Sequence, residues 1–217
     1  MAREGFTAET RAIEETILQM AAFVEELIAR GLHAMTHGDD RLADEVVATD
    51  RIVDDLRSQV RTRTMRILER WSPMGPALRA VVTYLSIADE LERIGDYAVH
   101  VARNARIGYR ALPIALLGDI SELGKLVRQQ VRDGVQALAQ TDVVLARRTC
   151  ARDMTVDEHY HALFVALQSQ IREDPSAVNE MTQLLFAIHD LERIADRVAN
   201  ICEDVIYIVT GAYEKLN

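Results

Sequence analysis

The segment Leu91-Glu92-Arg93-Ile94-Gly95-Asp96 returns as Leu191-Glu192-Arg193-Ile194-Ala195-Asp196, position for position 100 residues later. Leu and Ile three apart share one side of a helix, and Glu and Asp four apart share another. Working outward, Tyr84, Ile87, Leu91, Ile94, Ala98, Val101 and Ala105 step by alternating threes and fours, as do Leu184, Ala187, Leu191, Ile194, Val198, Ile201 and Val205. Such spacing keeps one apolar seam turned toward its neighbours in a left-handed helical bundle. Two seams in one register are an internal repeat.

The repeat extends backwards. Asp50-Arg-Ile-Val53-Asp54 matches Asp153-Met-Thr-Val156-Asp157 at an offset of 103, three more than before, because the break at 173–175 is shorter than the one at 72–76. Helical patterning covers roughly 6–36, 39–70, 76–107, 114–140, 142–173 and 176–210, with breaks at Gly38, at Ser72-Pro73-Met74-Gly75-Pro76, at Gly108 to Pro113 and at Glu173-Asp174-Pro175. A helix of about 30 residues is about 45 Å long, and short links between long helices make antiparallel neighbours. The fold class expected is therefore all-α: six long antiparallel helices in two tandem, repeat-related three-helix bundles, residues 1–110 and 111–217.

Composition agrees. Of 217 residues 49% are apolar and only 5% aromatic, with ten Gly and four Pro, a balance that suits helices and not a sandwich or barrel. The formal net charge of −9 argues against nucleic acid as partner and is compatible with cations. Cys150 and Cys202 lack metal-site or redox spacing and read as small core hydrophobes. The first residues carry acids where a signal peptide needs an apolar run, and no stretch of about 18 apolar residues occurs, so a soluble, cytoplasmic chain is expected.

Four acidic pairs carry the candidate chemistry: Asp50/Asp54, Glu92/Asp96, Asp153/Asp157 and Glu192/Asp196. Each projects two carboxylates from one helix face, which costs the helix about 0.2–0.5 kcal/mol unless a cation lies between them. All-oxygen ligands suit iron(III), Mg, Ca or Mn better than sulfur-seeking metals. Glu92 and Asp96 share a strip with Val81, Leu85, Ala88, Gly95 and Val99, beside the seam but not in it. Gly95 costs about 1 kcal/mol against Ala in a helix, which suggests close approach of another helix or a ligand. Asp89 and His189, one turn before the glutamates, are secondary ligand candidates, and Arg93 and Arg193 could bind phosphate or form ion pairs. A single Glu-x-x-His, Glu158 to His161, falls short of the two such motifs of di-iron bundles. No nucleophile elbow, phosphate-cradling loop or HExxH occurs, so no enzyme is expected.

Residues 88–96 (Ala-Asp-Glu-Leu-Glu-Arg-Ile-Gly-Asp), 189–197 (His-Asp-Leu-Glu-Arg-Ile-Ala-Asp-Arg) and 200–203 (Asn-Ile-Cys-Glu), with Asp50-x-x-Val-Asp54 and Asp153-x-x-Val-Asp157, resemble the motifs of the PhoU family of bacterial phosphate-transport regulators. The resemblance covers nearly the whole chain and implies two tandem three-helix bundles. It implies a cytoplasmic protein that represses the phosphate regulon when phosphate is plentiful. Its partners would be the ATPase subunit of the phosphate ABC transporter and a sensor histidine kinase, with membrane association only through them; a homodimer is allowed. It further implies multinuclear iron or zinc on Asp50, Asp54, Glu92, Asp96, Asp153, Asp157, Glu192 and Asp196, with Mg or Mn as other occupants. Ala195 departs from the family's usual Gly. The alternative is a metal-dependent enzyme or metal-storage bundle of ferritin-like chemistry.

Overall fold

The computed structural model describes residues 2–107 and 114–216, so the break expected at Gly108 to Pro113 lies outside the described residues. The helices are α1 (Ala2–His37), α2 (Asp40–Trp71), α3 (Pro76–Arg103), α4 (Ile114–Gln140), α5 (Val143–Ala151), α6 (Asp153–Glu173) and α7 (Val178–Thr210). Short 3-10 turns at Asn104–Ile107 and Pro175–Ala177 follow α3 and precede α7. No strand occurs among the described residues.

Local chemistry sets most of these boundaries. The Asp39 carboxylate accepts from the Leu42 N–H at 2.9 Å and starts α2. Ser72 closes α2 in a left-handed conformation, its N–H reaching Leu68 O at 3.1 Å. Pro76, whose missing N–H is harmless in a first turn, opens α3. Gly211 terminates α7 at φ 76°, and the Arg79 guanidinium, reaching across from α3, donates to Ile208 O at 3.2 and 3.1 Å. The carbonyls that a helix end leaves unpaired are thus taken up by another helix.

The helix expected over 142–173 is interrupted at Arg152, dividing it into α5 and α6. There the Arg152 N–H bonds Thr149 O at 3.2 Å, an i−3 bond that tightens the turn. The flanking side chains hold it: Arg152 pairs with Asp133 of α4, and Gln130 of α4 donates to Asp153 Oδ1 at 3.1 Å. Asp153 is consequently drawn inward and is only 7% exposed.

Every residue of both apolar seams is buried, with Leu91, Ile94, Leu191 and Ile194 at 0% exposure. Helices α1, α2 and α3 pack on one another, α7 packs on α4, α5 and α6, and the halves join where α3 meets α7 and α1 meets α4. One hydrophobic core runs through both bundles. The α3–α7 contact carries its own polar ties, and both start from equivalent repeat positions. Glu90 accepts from Arg197 at 3.4 Å and Asn200 at 3.3 Å, while Asp190 lies 3.8 Å from His100 Nδ1. Cys150 and Cys202 are buried free thiols. No helix among the described residues is long and apolar enough to cross a membrane.

Helix α1 passes α3 so closely that a methyl group on Gly31 would lie 2.8 Å from Ala98 O. On propensity alone Gly31→Ala would stabilise α1 by about 1 kcal/mol, but overpacking against backbone costs about 1–3 kcal/mol. The expected outcome is a Tm lowered by a few degrees in a thermal melt. A raised Tm would contradict the close α1–α3 contact.

Candidate metal centre

Because α2 and α3 run antiparallel, their acids meet as a ladder in which Asp50 lies by Asp96 and Asp54 by Glu92. Buried Val53 on α2, and Leu91 and Ile94 on α3, hold the rungs' spacing from below. Gly95 is explained by this arrangement: a Cβ there would sit 3.2 Å from Asp50 Oδ1 and 3.7 Å from Val53 Cγ1. The missing side chain makes room for a carboxylate from the neighbouring helix. Burial, followed by the charges of Asp96 and Asp54, pushes the Asp50 carboxyl above its ordinary range, with Arg103 and His100 opposing. Glu92 is raised by burial as well; Asp96 and Asp54 add to this, and Arg57 and Arg93 counter it.

Arg57 is the residue that the acidic pattern did not reveal. It lies one turn beyond Asp54 on the same face of α2. Its Nη1 donates to Glu92 Oε1 and its Nε to Asp89 Oδ1, both at 2.6 Å. The sign of its presence was available in the spacing, because 50, 54 and 57 step by four and three.

The second half repeats the ladder with α6 and α7. Asp157 is raised by burial and by the charge of Asp196. Burial is also the largest influence on Glu192, followed by Asp196, then by the opposing Arg193, then by Asp157 and Asp153; its carboxyl is pushed up to about 7. Its Oε2 is buried without a hydrogen-bond partner, 3.5 Å from His189 Nδ1. Arg193 turns along its own helix to Asp196 Oδ2 at 2.5 Å. Where the first half has Arg57, the second has Tyr160, whose ring centroid is 6.3 Å from that of His189.

All eight sequence-predicted residues thus fall into two groups of four, one on each helix pair. Among the described residues no three His, Cys, Asp or Glu side chains converge closely enough to form a ready-made metal cage. Both clusters are carboxylate-lined strips flanked by apolar packing. As a donor set, hard oxygens fit a multivalent cation in the second half, where Glu192 Oε2 makes no hydrogen bond and faces His189 Nδ1 at 3.5 Å. In the first half the corresponding glutamate is already bonded to a guanidinium.

The Glu192 shift makes stability pH-dependent. A carboxyl whose folded pKa is about 7, against 4.5 in the unfolded chain, contributes stability at low pH that is lost as pH rises from about 4.5 through 7. In chelator, Glu192→Gln should therefore melt with wild type near pH 4.5 and above it at pH 8. After discounting for solvent screening the gain is about 2 kcal/mol, or roughly 4–8 °C. An equal Tm difference at both pH values would contradict the shift.

The PhoU domain model matches the chain twice, over residues 17–105 and 120–205. A relative from Clostridium acetobutylicum, described as "Phosphate-specific transport system accessory protein PhoU homolog", is 30% identical over 100% of both chains. One of the same description from Caulobacter vibrioides is 34% identical over 96% of this chain and 91% of its own. Among solved structures, PhoU from Pseudomonas aeruginosa superposes with a TM-score of 0.90 at 30% identity, covering 95% of this chain and 100% of that one. The "phosphate transport system regulatory protein PhoU" from Streptococcus pneumoniae reaches 0.89 at 26% identity, covering 97% and 99%. Each matched segment covers most of one repeat, including its carboxylate ladder, so the chain belongs to the PhoU family.

Proposed function

We propose that this protein is a non-enzymatic, cytoplasmic regulator of phosphate uptake. It acts as an adaptor between the ATPase subunit of a phosphate ABC transporter and the sensor histidine kinase of the phosphate regulon. The observation that carries this reading is the end-to-end likeness, both repeats included, to proteins described as accessory to phosphate-specific transport. The architecture supports an adaptor. Its long helices are locked by a continuous core and leave extended outer faces for partners.

The carboxylate ladders supply the metal part of the proposal. Asp153, Asp157, Glu192 and Asp196 are the residues that would hold a hard cation in the second half. A bound cation would supply positive charge to four like-charged groups on two helices. These residues fix where that charge is needed: Asp153 is anchored by Gln130, Asp196 is steadied by Arg193, and Glu192 keeps a buried oxygen that makes no hydrogen bond, 3.5 Å from His189 Nδ1. Iron and zinc, with Mg or Mn as substitutes, are the ions the proposal names.

Deleting the gene should raise expression from a phosphate-starvation promoter in phosphate-rich medium, with the wild-type copy restoring repression. Expression unchanged by deletion would contradict the regulatory role. Retention of the chain on an immobilised transporter ATPase subunit tests the adaptor step, and failure to bind would remove that partner from the proposal.

A further inference from the structure

The internal repeat acts as its own control, and one corner of the molecule departs from it toward polarity. At the offset of 103, Glu14 of α1 corresponds to Leu117 of α4. Thr141, which links α4 to α5, corresponds to Gly38, which links α1 to α2. Tyr84 of the first seam corresponds to Leu184 of the second. Positions that are Leu, Gly and Leu in one setting are thus an acid, a hydroxyl and a phenol in the other. The three polar residues meet in space. With Leu18, Leu138 and Ala139 they line a cavity of about 280 Å³ where α1 and α3 pass the end of α4.

Thr141 holds its place against backbone preference. Its φ is 50°, in the left-handed region that a β-branched residue rarely adopts. Gly38 makes the corresponding turn at φ 65°, and a Cβ there would meet no atom nearer than 3.9 Å. Backbone conformation alone therefore favours glycine at this turn, and the cavity is where threonine stands instead. Tyr84 is 5% exposed and donates its hydroxyl to Glu14 Oε1 at 2.5 Å. Burial, then that bond, pushes the phenol up, so Tyr84 stays protonated.

The hydrogen-bonding capacity left over has one character. The Tyr84 proton is taken by Glu14, and the Thr141 hydroxyl donates to Gln140 O at 2.7 Å. Among the described residues Tyr84 is the one hydrogen-bond partner of the Glu14 carboxylate. What remains for a ligand is acceptor oxygen on all three side chains, with one negative charge. An ammonium group is the complement: three N–H donors, no acceptor and one positive charge. Leu18 and Ala139 also border a second, more open cavity of about 260 Å³ along α1 and α4, walled by Ala21, Ala22, Val131 and Val135. At the end of that groove away from Tyr84, Arg132 Nε is bonded to Glu25 at 2.7 Å.

We propose that this corner is a binding site for a primary alkylammonium group. Glu14, Tyr84 and Thr141 take the head, and the chain lies along Leu18 and Ala139 into the groove between α1 and α4. The site is separate from the carboxylate ladders and stands whether or not they hold metal. Two sources carry the same chemistry, a free alkylamine and the lysine side chain of a partner protein, whose ammonium sits on four methylenes.

Isothermal titration calorimetry of the full-length chain with propylamine, butylamine and hexylamine tests the site. Hexan-1-ol and hexyltrimethylammonium serve as controls, the first lacking the charge and the second the N–H donors. The amines should bind saturably at millimolar concentration, hexylamine more tightly than either control by roughly tenfold or more. Glu14→Gln and Thr141→Gly, each shown by thermal melt to be folded, should weaken amine binding by roughly fivefold or more. Affinity that keeps rising from propyl to hexyl, by up to roughly fourfold per added methylene, assigns the site to free amines. A maximum at butyl assigns it to a lysine side chain. Absence of saturable amine binding would overturn the proposal. So would controls that bind as tightly as hexylamine, or folded Glu14→Gln and Thr141→Gly proteins that bind it as wild type does.

Discussion

Like-charged carboxylates held together by an apolar seam are the constraint on which the site depends. Each acidic rung stands on residues that cannot move apart: Leu91 and Ile94 in one half, and Leu191 and Ile194 in the other, are fully buried. Burying such side chains contributes about 1.5–3 kcal/mol each, more than the fraction of a kcal/mol by which one i,i+4 acid pair opposes its helix. Packing therefore wins, and the acids are held in place with their repulsion unrelieved. The molecule must answer that repulsion with a proton, an internal cation or a bound one.

The two halves answer it differently. Arg57 draws Glu92 and Asp89 into charge-assisted bonds. Glu192 lies 3.5 Å from His189 Nδ1, and burial, then the charge of Asp196, lifts its carboxyl to about 7 against the pull of Arg193. A tandem repeat makes this divergence possible, because each copy can change its charge partners while the buried seam keeps the fold: Arg57 in one, His189 and Arg193 in the other. The contacts between α3 and α7 join the two copies through one continuous core. There the paired positions Glu90 and Asp190 have also diverged, one bonded to Arg197 and Asn200 and the other beside His100.

Much of this was legible in the chain itself. The three-four stepping from Tyr84 to Ala105 and from Leu184 to Val205 located both seams, since burial on one helix face leaves a periodic trace. Gly95 signalled a close approach, and the structure supplies the Asp50 carboxylate as what approaches. The helix break at Arg152 was hidden because no Gly or Pro marks it; it is held by tertiary bonds to Asp133 and Gln130. Arg57 was missed for a related reason. A search for paired acids passes over the base between them, and its partner Asp89 lies 32 positions along the chain. Contacts between halves, such as Arg79 capping α7, leave no local periodic signal at all.

The most direct measurement of the central claim is anomalous diffraction from crystals of the native protein grown with Zn2+ or Mn2+, collected at the metal's absorption edge. The account predicts anomalous density between α6 and α7, bounded by Asp153, Asp157, Glu192 and Asp196. No anomalous density between α6 and α7 would contradict it.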